Sequence, residues 1–201
     1  MSFIHRFEPG TSATTLLLLH GTGGNEHDLI GLARDLSPTA KLLSPRGKVL
    51  ENGAPRFFKR LAMGVFDEAD LKAQAADLAR FVAEAAQEYS FDARQVYALG
   101  YSNGANIAAA LLLLHPEVLA GGVLLRPVLP LEPERLPNLS GRSVFLAAGL
   151  RDPWSPTARV EALAERLRQA GAEVELRLSP GGHELHPEEL EAARAWLARR
   201  A

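Results

Sequence analysis

The sequence predicts an α/β fold with a mostly parallel, doubly wound central sheet flanked by helices. Strand-length apolar runs alternate with longer stretches of helical period, the sequence form of repeated β-α units. Most of the runs are apolar at consecutive positions, as strands buried on both faces are. Hydrophobic residues make up 47% and charged residues 23% of 201 residues, enough apolar material for one full-sized core. Residues 1–201 are therefore read as a single domain.

In chain order, strands are predicted at 14–20, 41–44, 95–99, 121–125, 143–148 and 173–178, with an antiparallel edge strand at 3–7. Helical spacing marks 26–36, 68–89, 104–115, 156–170 and 187–200. Several of these have recognisable ends: Asp67 suits the N-cap of the second, Gly171 follows the fourth, and Pro187 fits the first turn of the fifth. Two stretches resist both periods, 45–66 and the proline-rich 127–142, and are predicted to be long surface loops.

Composition excludes several classes. Lys and Arg total 22 against 24 Asp and Glu, so a net charge of -2 gives no long-range attraction to nucleic acid or anionic lipid. With no cysteine there is no disulfide, thiol nucleophile or thiolate metal site. The first nine residues lack the apolar core of a signal peptide, and no apolar run reaches the length of a membrane span, so a cytoplasmic location is expected.

Gly100-Tyr101-Ser102-Asn103-Gly104 fits the G-x-S-x-G elbow, a sharp strand-to-helix turn that lifts a serine hydroxyl above the sheet edge. By itself the motif is weak, since about one random chain in fourteen of this length and composition would carry it. Its context is specific: Val96-Tyr97-Ala98-Leu99 precedes it as a buried strand, and a helical run from Ala105 follows.

A serine hydroxyl attacks an ester at neutral pH only with a base in hydrogen-bond reach. In the fold that uses this elbow the order is Ser, then Asp or Glu, then His, which removes His5, His20 and His27 as the base. His115 ends the helix after the elbow and is read as structural. His183, in the glycine-rich segment Ser179-Pro180-Gly181-Gly182-His183, is preferred over His186, which stands at the entry to the last helix. Asp152, just past the strand 143–148, would emerge at the same carboxyl edge and orient the imidazole. An imidazole must be neutral to act as a base, so activity is expected to fall below about pH 6, near the ordinary histidine pKa.

The tetrahedral intermediate needs backbone N–H donors for its oxyanion. One is expected from Asn103, after the nucleophile, and the other from Thr22 in His20-Gly21-Thr22-Gly23-Gly24-Asn25. A phosphate cradle fits this loop poorly, because Glu26 occupies the last glycine position of G-x-G-x-x-G and no Gly-Lys-Ser/Thr ending follows.

With these residues assembled, the chain resembles the phospholipase/carboxylesterase family of α/β-hydrolases along nearly its whole length. The matching segments are His20-Gly21-Thr22-Gly23-Gly24, Gly100-Tyr101-Ser102-Asn103-Gly104, Leu150-Arg151-Asp152 and Gly182-His183-Glu184. The segments Ser44-Pro45-Arg46-Gly47 and Arg56-Phe57-Phe58-Lys59-Arg60 resemble its hydroquinone-associated carboxylesterase branch. The resemblance implies an α/β-hydrolase fold, a Ser102-His183-Asp152 triad, and an oxyanion hole at Thr22 and Asn103. Thioesterase relatives usually carry Gln after the nucleophile; Asn103 favours smaller esters over protein depalmitoylation.

The expected activity is thus serine carboxylesterase chemistry through an acyl-enzyme, with no metal or organic cofactor. The rivals are an acyl thioesterase or lysophospholipase on longer chains, and a noncatalytic ligand-binding α/β-hydrolase, which would not need all three triad members. The expected partner is a small-molecule ester, and a homodimer is compatible with the sequence. No large insertion separates the elbow helix from Asp152 beyond the proline-rich segment, so no large lid domain is expected. Phe57, Phe58 and Trp154 are candidates for the pocket wall, although large apolar residues are also the usual filling of a core. Arg46 is placed either to meet a substrate carboxylate or to brace its loop through a salt bridge.

Overall fold

The computed structural model describes residues 2–200. Its strands are β1 (His5–Glu8), β2 (Thr15–Leu19), β3 (Lys41–Pro45), β4 (Val49–Glu51), β5 (Ala54–Arg56), β6 (Arg60–Ala62), β7 (Val65–Phe66), β8 (Val96–Tyr101), β9 (Gly121–Leu125), β10 (Ser143–Gly149) and β11 (Glu173–Ser179). Its helices are α1 (Ile30–Leu36), α2 (Glu68–Glu88), α3 (Asn103–Leu114), α4 (Thr157–Gln169) and α5 (Pro187–Ala198).

One sheet runs in the order β1-β3-β2-β8-β9-β10-β11. Its pairs are parallel except for β1 against β3 at the edge, where His5 to Glu8 face Pro45 to Leu42. Strand alternation sorts the side chains of β2 onto two faces. Leu17 and Leu19 join the core under α2, α3 and α4, while Leu16 and Leu18 join a second core with Ala33 and Leu36 of α1 and Trp196 of α5. Since both faces are covered, the central strands must be apolar throughout, and β2 and β9 are buried at every position.

Helix α2 shows how local sequence sets an element. Asp67 caps it by accepting from the Asp70 N–H at 3.0 Å, a contact of the kind that stabilises a helix by about 1 kcal/mol. Leu71, Ala75, Leu78, Val82 and Ala85 then fall on one buried stripe.

The first helix and the long segment 45–66 differ from expectation. Helix α1 begins at Ile30, because residues 26–29 form turns in which the Asn25 side chain accepts from the His27 N–H and Glu26 is drawn to Arg46. Residues 45–66 contain two hairpins, β4–β5 and β6–β7, and bury Phe57 and Phe58 completely. Asn52 and Gly53, both at positive φ (51° and 84°), make the two-residue turn of the first. The segment 127–142 forms neither helix nor strand, but it buries Val128, Leu131 and Leu139 and so is not wholly a surface loop.

Candidate active site

The carboxyl ends of β2, β8, β9, β10 and β11 lie side by side, and the segments that leave them assemble one site. From β8 the chain turns at Ser102, held at φ 54° and ψ −115°, a conformation that costs on the order of 1–3 kcal/mol in a residue with a side chain. It is locked by the Ser102 N–H donating to Leu125 O (2.9 Å) and the Asn106 N–H donating to Ser102 O (3.0 Å). Glycine at either side of the elbow is a packing requirement: a Cβ on Gly100 would sit 2.8 Å from the Ala105 backbone, and one on Gly104 would overlap the Leu19 carbonyl.

Ser102 Oγ lies 2.9 Å from His183 Nε2, and His183 Nδ1 lies 2.7 Å from Asp152 Oδ2. A neutral imidazole donating from Nδ1 to the carboxylate leaves Nε2 free to accept the serine proton. The buried Asp152 is also fixed through Oδ1, which accepts from the Trp154 and Ser155 N–H groups at 2.9 and 3.1 Å. The Trp154 ring stands edge-on to the His183 ring at 4.8 Å between centroids.

The loop that carries His183 is clamped from beneath. Arg126, fully buried just past β9, donates from Nε to Gly182 O (3.0 Å) and from Nη2 to Glu184 O, the residues flanking the histidine. Its guanidinium forms a two-pronged pair with Glu189 at 3.0 and 2.8 Å. Burial opposes ionisation of Glu189, yet its interactions with Arg126, with Ser179 and with the His186 N–H together outweigh this and hold the carboxyl below its ordinary value. Tyr101 adds a third tie, its hydroxyl donating to His183 O at 2.9 Å. Burial raises the Tyr101 pKa, so the phenol stays protonated and remains a donor.

On the other side of Ser102, the Gly23 and Gly24 N–H groups are engaged by Pro55 O and Gly21 O. The Thr22 N–H carries no such bond among the described residues, and the Asn103 N–H begins α3, where no intrahelical acceptor exists. His20 braces this loop: its ring contacts Gly21 O through Nδ1 (2.7 Å) and accepts from the Gly47 N–H through Nε2 (3.0 Å). Burial lowers its pKa, in keeping with a neutral ring in that role.

Thr22, Asn103 and Trp154 share with Ser102 and His183 the wall of a cavity of about 360 Å³. Three other expected residues lie elsewhere. Arg46 takes the bracing role, donating to Glu26 through two nitrogens at 2.6 and 2.8 Å, and it is not part of the cavity wall. Phe57 and Phe58 belong to the core, because the Asn103 side chain accepts from the Phe57 N–H (2.8 Å) and pulls this segment inward. His186 forms the N-cap position of α5, and His115 Nδ1 faces Glu117 at 3.9 Å. Sequence reasoning missed Arg56, Arg60, Met63, Phe66 and Ser155 of the cavity and the Arg126 clamp. The Asn-Gly turn at 52–53 was the one signal that could have placed Arg56 on a hairpin.

The family model for Phospholipase/Carboxylesterase matches residues 8–200. The protein MhqD of Bacillus subtilis (strain 168) is 50% identical over 192 residues, 96% of each chain. The crystal structure of the Bacillus cereus carboxylesterase superposes with a TM-score of 0.95 at 47% identity, covering 98% of this chain and 93% of that one. A carboxylesterase from Mesorhizobium loti gives 0.87 at 36% identity over 94% and 90%. The chain belongs to the phospholipase/carboxylesterase family and is an ester hydrolase of the α/β-hydrolase fold.

Proposed function

We propose that the chain is a serine carboxylesterase of small esters, with Ser102 as nucleophile, His183 as general base and Asp152 as the residue that orients it. The observation that carries this reading is the unbroken relay from Asp152 through His183 to Ser102, at 2.7 and 2.9 Å. In the first step Ser102 Oγ bonds to the ester carbonyl carbon while its proton passes to His183 Nε2. The C–O bond to the alcohol breaks, and the alcohol leaves with that proton. Water then gives a proton to His183 and attacks the acyl-enzyme, releasing the acid and restoring Ser102. The N–H groups of Thr22 and Asn103 take the oxyanion of both tetrahedral intermediates, a donor of this type contributing about 3 kcal/mol.

A cavity of about 360 Å³ stands at the low end of ligand pockets and favours short acyl and alcohol parts. A chain-length series of p-nitrophenyl esters tests this. The expected kcat/KM peaks at short acyl groups, and a maximum at long acyl groups would move the assignment to an acyl thioesterase or lysophospholipase.

A further inference from the structure

Two guanidiniums, Arg56 and Arg60, line the same cavity as Ser102. The Arg56 side chain is only 4% exposed and that of Arg60 27%. A single carboxylate serves both: Glu51 Oε1 is 2.8 Å from Arg60 Nε, and Oε2 is 3.4 Å from Arg56 Nη1. The remaining partners are uncharged, namely Phe58 O and Thr22 Oγ1 for Arg56 (3.2 and 2.7 Å) and Met63 Sδ for Arg60 (3.4 Å).

Two cations share one carboxylate at the surface too, Arg6 and Arg34 on Glu8 and Lys48 and Arg80 on Asp77, where all four cations are 29% exposed or more. Arg56 is nearly as buried as Arg126, but Arg126 has Glu189 to itself whereas Arg56 divides Glu51 with Arg60. Behind the cavity wall Arg159 gives its donors to the carbonyls of Gly64 and Leu129, adding charge that no carboxylate pairs among the described residues. Burial, with Arg60 as a further cause, lowers the Arg56 pKa, although a guanidinium stays protonated.

We propose that the pocket selects esters bearing a second, anionic group, a carboxylate held by Arg56 and Arg60, as in half-esters of short dicarboxylic acids. Met63, Phe66 and Trp154 supply the apolar wall for the hydrocarbon between the ester and that carboxylate. A surplus cation set into the pocket wall, with the Arg56 side chain only 4% exposed, attracts such a group more strongly than a fully solvated arginine would. The inference rests on the esterase reading of Ser102 and extends it to a substrate class.

The test compares 4-nitrophenyl hemiglutarate with 4-nitrophenyl pentanoate, which share chain length and differ in the terminal carboxylate. The expected kcat/KM ratio favours the hemiglutarate by about tenfold or more, the equivalent of one charge-assisted hydrogen bond, and acts chiefly through KM. It should fall towards one in Arg60→Gln and in Arg56→Gln; as a ratio within each variant, it cancels any general loss of activity. A wild-type ratio at or below one, or a ratio unchanged in both variants, overturns the proposal. If neither ester is turned over, the esterase reading fails, and calorimetric binding of glutarate decides the anion site separately. Binding that is lost in Arg60→Gln upholds the site, and no binding to the wild type overturns it.

Discussion

Replacing Arg126 by Met should expose how the base is held. Met preserves much of the side-chain length, so the main change is electrostatic: Glu189, 4% exposed beside a guanidinium that is 0% exposed, loses its partner. Removing one member of a buried ion pair costs about 3–5 kcal/mol, because the remaining charge is left in a poorly solvating site. Against a typical total stability of about 5–15 kcal/mol this is a large fraction, but the variant should still fold. The carbonyls of Gly182 and Glu184 lose their donor at the same time, so the loop around His183 loosens. Turnover should therefore fall by about 10²-fold, the scale of an ångström-level misplacement of a catalytic group. Urea unfolding gives the stability change, and kcat well below the new midpoint gives the catalytic one. A second substitution separates them: Arg126→Met with Glu189→Gln removes the stranded charge and should recover stability without recovering kcat. A loss below about 1 kcal/mol, or recovery of kcat along with stability, would refute the clamp.

Asp152→Asn should leave the fold intact and reduce kcat by about 10⁴-fold, since the amide disfavours the tautomer that presents Nε2 to Ser102; circular dichroism and steady-state kinetics check both parts. His183→Ala should lower turnover by several orders of magnitude while His186→Ala does not, and the reverse outcome would reassign the base. Glu26, held at about 2 against 4.5 chiefly by its bond to Arg46, should stabilise the fold fully above pH 4.5 and lose that contribution as pH falls towards 2. The urea midpoint of wild type should thus exceed that of Glu26→Gln at pH 6 and approach it as pH falls to about 2; a constant difference would contradict the ionised pair. Gly104→Ala should cost at least about 3 kcal/mol in urea unfolding, because the added methyl meets the backbone carbonyl of Leu19.

The sheet was legible because its central strands are buried on both faces, and runs such as Leu16 to Leu19 cannot be mistaken for solvent-exposed elements. The elbow was legible for a steric reason: the backbone crosses so closely at Gly100 and Gly104 that the sequence has little choice there. Segment 45–66 was harder. Its strands are two or three residues long, too short for a period to show, and its two phenylalanines are buried by a tertiary contact from Asn103. Asn52-Gly53 was a readable turn that went unused. The roles of Arg126 and Glu189 depend on a pairing 63 residues apart, which a single sequence does not reveal. Arg46 shows a choice that the sequence leaves open: of its two expected roles it takes the salt bridge, to Glu26, while the cations on the cavity wall come from the hairpins.

The central claim, a nucleophilic Ser102 activated by His183, is tested most directly by reaction with a fluorophosphonate followed by intact-protein and peptide mass spectrometry. One adduct per chain is predicted, on Ser102, with labelling slowed by orders of magnitude in His183→Ala. A folded wild-type chain that takes no label, or takes it on another residue, would contradict it.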